Sequence, residues 1–248
     1  KMLQEADIVI YVGEGLEEFL EKPLESLAQN AVKFELLKQS GMKKLKFRER
    51  NIFEGHDDHD DHGHGKKKKD DHDDHDDHDH DKKAKKEDHD DHGHDDHGHG
   101  HGEFDPHIWL DPMNAKIIIK KVTNQLSKLD KDNSSTYKSN SKKALKEIDN
   151  LIKQVKSDIN KDAKVVVFHD AYQYFEKRFD VNIIGALTVN TDVLPGAEQL
   201  AEIREVIEHE KVTCVLSEPQ FNPDIVKTIA NDTNINKGVL DPLGAKLD

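Results

Sequence analysis

Val165-Val166-Val167-Phe168-His169-Asp170-Ala171-Tyr172 starts as an unbroken apolar run and turns polar at a histidine. Residues 165–168 read as a strand apolar enough to be buried in a sheet. Outward from it the chain alternates. Residues 172–178 read as a helix and 181–186 as a strand. Residues 196–210 read as a helix with Ala197, Leu200, Ile203 and Ile207 on one face. Then come a strand at 212–216, a helix at 223–231 and a strand at 238–240. Strands alternating with helices predict the α/β class, a parallel sheet covered by helices on both faces.

The same class extends toward the other end. Ile8-Val9-Ile10-Tyr11-Val12, closed by Gly13, reads as a strand buried on both faces. Short helical stretches at 16–21 and 24–28 and a weaker strand at 32–37 follow. Pro112 stands where helices start, and 113–129 reads as a helix beginning there. A longer helix covers 134–160, with Tyr137, Ala144, Leu145, Ile148, Leu151, Ile152, Val155 and Ile159 on one face. At 1.5 Å per residue it would be about 40 Å long, enough to run the length of two lobes. From the pattern alone it fits an ordinary surface helix equally well.

Composition isolates one segment. Fourteen of the 17 histidines and 18 of the 51 acidic residues lie between 56 and 102, against 8 of the 37 Lys and Arg. That segment carries −10 of the net charge of −14, so the rest is near neutral. An acidic chain with scattered lysines offers no basic face for a nucleic-acid backbone, so no nucleic-acid partner is expected. The longest apolar runs are too short to span a bilayer. With no apolar period, residues 55–103 are expected to be a disordered loop.

That loop repeats His-Asp-Asp-His from His56, His59, His72, His75, His89 and His94, and His-Gly-His from His62, His92, His97 and His99. Imidazole binds zinc, copper and nickel well. Fourteen histidines could hold about three or four tetrahedral ions, each weakly because the chain must be ordered every time. Binding there should fade as pH falls through about 6.5.

Three residues outside the loop form a candidate metal site. His107, in Asp105-Pro106-His107-Ile108-Trp109-Leu110-Asp111-Pro112, is fixed between a rigid Asp-Pro and a short apolar strand just ahead of a helix. His169 ends a buried strand, where open α/β sheets place their ligands. Asp241, in Leu240-Asp241-Pro242-Leu243-Gly244, also follows a strand. His209, near the end of an amphipathic helix, reads as surface.

These motifs in this order resemble one family. Lys1-Met2-Leu3-Gln4-Glu5-Ala6-Asp7, Val12-Gly13-Glu14-Gly15-Leu16-Glu17, the His-rich loop followed by residues 105–112, Phe168-His169-Asp170-Ala171-Tyr172, Pro195-Gly196, Ser217-Glu218-Pro219-Gln220-Phe221 and Leu240-Asp241-Pro242-Leu243-Gly244 carry the likeness. The chain resembles the periplasmic zinc-binding (ZnuA-like) proteins of high-affinity zinc ABC importers, among the metal-specific solute-binding proteins. The resemblance implies two lobes, 1–133 and 161–248, joined by the helix 134–160. It implies one zinc ion (Zn2+) between them, with His107 and His169 matching two histidine ligands. Asp241 matches a position that ligates metal in some relatives, where others use water or another carboxylate. It implies a periplasmic, exported monomer that delivers zinc to an ABC transporter permease of the inner membrane. It also implies a fragment: a further histidine ligand and the signal peptide would precede Lys1, and the disulfide partner of Cys214 would follow Asp248.

Other readings are weaker. A zinc hydrolase needs an open metal position and a general base. No His-Glu-x-x-His occurs, and Glu218 is the only carboxylate with strong local context. A metal storage or chaperone protein would make the loop the functional part, but no Gly-x-x-x-x-Gly-Lys-Ser/Thr occurs to drive one with nucleotide. Manganese would favour carboxylates over imidazoles.

Overall fold

The computed structural model describes residues 1–48, 50–52, 103–189 and 195–245. The His-rich loop expected over 55–103 lies, apart from Glu103, outside the described residues. No helix among the described residues is long and apolar enough to cross a membrane.

The first elements are β1 (Ile8–Tyr11), α1 (Glu14–Glu17), a 3-10 turn (Glu18–Leu20), α2 (Glu21–Leu27) and β2 (Val32–Glu35). Strands β1 and β2 run parallel, Ile8 opposite Val32 and Tyr11 opposite Glu35. The turn after β1 needs Gly13, whose φ is 151° and whose missing Cβ would stand 2.9 Å from Leu37 Cδ1. The Glu17 carboxylate accepts from the Val12 and Gly13 amides at 3.0 Å. The expectation that β1 is buried on both faces fails: Ile10 is 41% exposed. Among the described residues this sheet is two strands wide, so β1 has a single neighbour.

Residues 108–110, expected as a short strand, are a 3-10 turn (Ile108–Leu110). Three residues so close to Pro106 and Pro112 have no partner strand, and they close the Leu110 N–H to His107 C=O bond at 3.1 Å instead. Helix α3 (Pro112–Leu129) starts at Pro112, and Asp111 caps it by accepting from the Met113 amide at 2.8 Å. Helix α4 (Ser134–Asp158) ends two residues before the expected boundary and is about 37 Å long. A four-residue connection folds it back along α3, where Lys116 reaches Asp149 at 2.6 Å. Its expected apolar face is real but shallow. Tyr137, Ala144, Leu145, Ile148, Ile152, Val155 and Ile159 are half-buried, and Leu151 is exposed.

The second sheet comes from β3 (Lys164–His169), α5 (Gln173–Phe179), β4 (Asn182–Thr188), α6 (Ala197–His209), β5 (Cys214–Ser217), α7 (Asp224–Thr233) and β6 (Asn236–Val239). The alternation read from the sequence is present throughout, with strand ends moved by one or two residues. All pairings are parallel, in the order β4-β3-β5-β6. The chain steps from β3 outward to β4, crosses back over to β5, and continues to β6. Beyond β3 and β5 it therefore departs in opposite directions, the switch point at which parallel sheets open a crevice.

Side chains on β3 alternate between faces. Val166 and Phe168 pack with Ile203 and Ile207 of α6 and Val226, Ile229 and Ala230 of α7. Val165 and Val167 pack on the other side with Ala171, Tyr172, Ile183, Ala186 and Leu110. His169 continues that second row. The core beneath β1 and β2 holds Val12, Phe34, Leu36 and Ile108, and Tyr174 of α5 inserts into it.

A strap of chain, residues 43–48 and 50–52, is stitched to several of these elements. The amide and carbonyl of Lys43 pair with the buried Asn114 side chain at 2.8 Å each. Leu45 N–H donates to the Tyr174 hydroxyl at 2.9 Å. Asn51 ends on the outer edge of β4, accepting from the Ala186 amide at 2.8 Å and donating to the Leu187 carbonyl at 2.9 Å.

Candidate metal centre

The two histidines meet. The Nε2 atoms of His107 and His169 are 3.4 Å apart and the ring centroids 5.3 Å apart. Their positions follow from the fold: His169 ends the inward row of β3, and the 3-10 turn after His107 packs Leu110 against that same row.

Each ring is gripped from behind by a carboxylate. His107 Nδ1 lies 2.7 Å from Asp105 Oδ1, which also accepts from the His107 amide at 2.9 Å. His169 Nδ1 lies 2.7 Å from Glu218 Oε1. Asp105 and Glu218 are buried. A buried carboxylate on Nδ1 fixes the proton there and leaves a lone pair on Nε2. Both free lone pairs therefore face the space between the rings. Two nitrogens bound to one tetrahedral zinc at 2.0–2.1 Å stand about 3.3 Å apart, nearly the spacing found.

Both carboxylates have structural supports. Asp105 Oδ2 accepts from Gln173 Nε2, and the Asp105 carbonyl accepts from the Tyr174 hydroxyl at 2.8 Å. Glu218 follows directly on β5, at the switch point beside β3. Its Oε2 is buried without a protein hydrogen-bond partner. The Tyr172 hydroxyl lies near Glu218 and Asp241. Burial first, then the charge of Glu218, pushes its pKa up, so the phenol stays protonated. Apolar rings wall the pair: Trp109 lies 5.4 Å from His107, and Phe221 lies 5.6 Å from His169, ring centre to ring centre.

Asp241 follows β6 and does not complete a three-ligand group with the pair. Its Oδ1 accepts from Gln220 Nε2 at 2.7 Å, and among the described residues no third His, Cys, Asp or Glu joins the two imidazoles in a metal-holding group. His209 lies on the surface beside Glu210. Cys214 has no disulfide partner among the described residues, and burial raises its pKa. Sequence reading missed Asp105 as the partner of His107. The signal was the carboxylate two residues before a histidine, across a proline that turns it back. Arg48 was missed as well: it pairs with Asp170 at 2.9 Å and with Glu176, both buried.

Paired imidazoles at the switch point of a parallel sheet, with carboxylates behind them, are the makings of a protein that binds a divalent transition metal. Comparison with known proteins narrows the class. The family described as zinc-uptake complex component A, periplasmic (ZnuA), matches residues 1–248, and the chain belongs to that family. The high-affinity zinc uptake system protein ZnuA of Brucella abortus (strain 2308) is 42% identical over 247 residues, 99% of this chain and 71% of the relative. Its counterpart from Yersinia pestis is 34% identical over 251 residues, 98% and 69% respectively. Among solved structures, a crystal structure of ZnuA superposes with a TM-score of 0.70 at 21% identity, covering 98% of this chain and 74% of that one. A zinc-bound ZnuA deletion mutant gives 0.68 at 21% identity, covering 97% and 73%. The structural likeness establishes the shared fold. The family is a periplasmic, hence extracytoplasmic, solute-binding component of a transport system and not an enzyme, which removes the hydrolase reading.

Proposed function

We propose that this chain captures zinc outside the cytoplasm and delivers it to an ABC-type permease of the inner membrane for high-affinity uptake. The observation that carries the reading is the 3.4 Å separation of two Nε2 atoms, each with its Nδ1 held by a buried carboxylate. Such a pair is preorganised for a cation of zinc's size and nitrogen preference. His107 and His169 are two ligands, and Asp241, two residues after β6, is the candidate third. The site serves as a holding place between lobes 1–133 and 161–248, with α4 (Ser134–Asp158) as the stiff member joining them. Membership of a zinc-uptake family supports zinc as the cargo.

Zinc titration in competition with a chelator of known affinity tests this. The full chain and a version lacking residues 56–101 are compared, each with and without His169→Ala. One tight site that survives the deletion and vanishes with His169→Ala supports capture at the histidine pair. Tight binding that disappears with residues 56–101 overturns it in favour of a histidine-rich metal buffer.

A further inference from the structure

Non-covalent links around the histidine pair form a closed circuit. From His107 the chain runs two residues to Trp109, whose Nε1 donates to the Pro242 carbonyl at 2.9 Å. Asp241, next to Pro242, is held by Gln220 at 2.7 Å. Two residues before Gln220 stands Glu218, which holds His169 at 2.7 Å. His169 faces His107 across 3.4 Å. Every other step is covalent chain. Of the four links, only the Trp109–Pro242 bond and the facing histidines join the segment that carries His107 to the rest of the circuit, the first to the segment following β6 and the second to the end of β3.

From this we infer that Trp109 is a retention residue for the cargo: its indole N–H latches the His107 segment to the Pro242 carbonyl and slows zinc release. The inference rests on the capture reading above. An ion bridging the two Nε2 atoms closes the circuit at one point and the indole closes it at another. Either closure brings the ends of the other together, so each raises the effective concentration of the other. The coupling is reciprocal: if the latch holds the ion, the ion must hold the latch to the same degree. Trp109 also presents its ring to His107, so closure keeps apolar surface rather than water beside that ligand.

The chain has a single tryptophan, so the latch can be watched directly. In the unsubstituted 248-residue chain the indole N–H gives one nuclear magnetic resonance signal. Zinc is expected to slow its exchange with solvent; an exchange rate indifferent to zinc overturns the latch without any substitution. Release is then measured by mixing the zinc-loaded protein with excess chromogenic chelator, and capture by mixing the zinc-free protein with zinc. Trp109→Phe keeps a ring and removes the donor. Losing one neutral hydrogen bond is expected to speed release roughly three- to tenfold and leave capture unchanged. Pro242→Ala keeps the accepting carbonyl and should release as the parent does. Equal release rates for the parent and Trp109→Phe overturn the proposal, as does a loss confined to the fraction of protein able to bind. A parent protein that takes up no zinc at the pair removes the capture reading itself, and the latch falls with it.

Discussion

Arg178 grips Asp111 with two parallel bonds, Nε to Oδ1 and Nη2 to Oδ2, each 2.7 Å long. Asp111 is almost wholly buried and also caps α3. One carboxylate thus ties the helix that follows the His107 segment to α5 in the half of the chain carrying His169. Arg178→Met leaves the buried charge with only its capping bond and should cost about 3 kcal/mol. The expected sign is a lower urea midpoint at unchanged slope. Arg178→Lys should recover only part of the loss, because one ammonium cannot supply two parallel bonds.

The carboxylates behind the histidines should matter nearly as much as the histidines. Glu218→Gln and Asp105→Asn keep the shape and remove the charge that holds each Nδ1 proton. Each is expected to weaken zinc binding about 10- to 100-fold, read by chelator competition. His107→Ala should exceed either. An unchanged affinity in Glu218→Gln would show that β3 alone orients His169.

Asp170 should make stability depend on pH. Burial pushes its pKa from 3.8 up to about 6, outweighing the opposing pull of Arg48, while Asp105 and Glu176 add to the rise. Between those values the folded chain holds a proton that the unfolded chain has lost. Stability should therefore be highest below about pH 4 for this group and fall as pH rises through 6. Asp170→Asn removes the dependence and should gain about 2–3 kcal/mol above pH 6, since each pKa unit is worth about 1.4 kcal/mol. The check is the difference in melting temperature between variant and parent from pH 4 to pH 7.

Gly185 lets the strap lie against β4. A Cβ there would stand 2.6 Å from the Asn51 carbonyl oxygen, which belongs to the backbone and cannot swing away. Gly185→Ala should lift residues 50–52 off the strand and cost about 1–3 kcal/mol. Hydrogen exchange should locate the damage at the Ala186 amide, which donates to that oxygen.

Much of this architecture was legible in advance. The alternation after residue 164, the start of α3 at Pro112 and the span of α4 are local signals, carried by period and by proline. His169 could be singled out because it ended a legible strand, and His107 because it stood between a rigid Asp-Pro and the helix that starts at Pro112. The three-dimensional facts were not legible. That β5 lies beside β3 while β4 lies outside it follows from pairing across 49 residues, Val165 with Cys214. The half-exposed β1 and the turn at 108–110 depend on how many neighbours a segment finds, which its own residues do not state. Asp241 follows a strand as expected, and its bond to Gln220 is a matter of side-chain reach that position in the chain does not state. The strap has no period at all. It is held by scattered bonds to Asn114, Tyr174 and Leu187, and reads as loop.

The alternation of β3 has a consequence for inheritance. His169 faces His107 only because it shares its parity with Val165 and Val167. Inserting or deleting one residue upstream within the strand would present Phe168 or Asp170 in its place while leaving the strand as apolar as before. Such a lineage could still fold and be exported, but it would be blind to metal. Substitutions can wear the site down by degrees, whereas a frame slip of one residue erases it at once. The site therefore depends more sharply on the length of this short strand than on its composition.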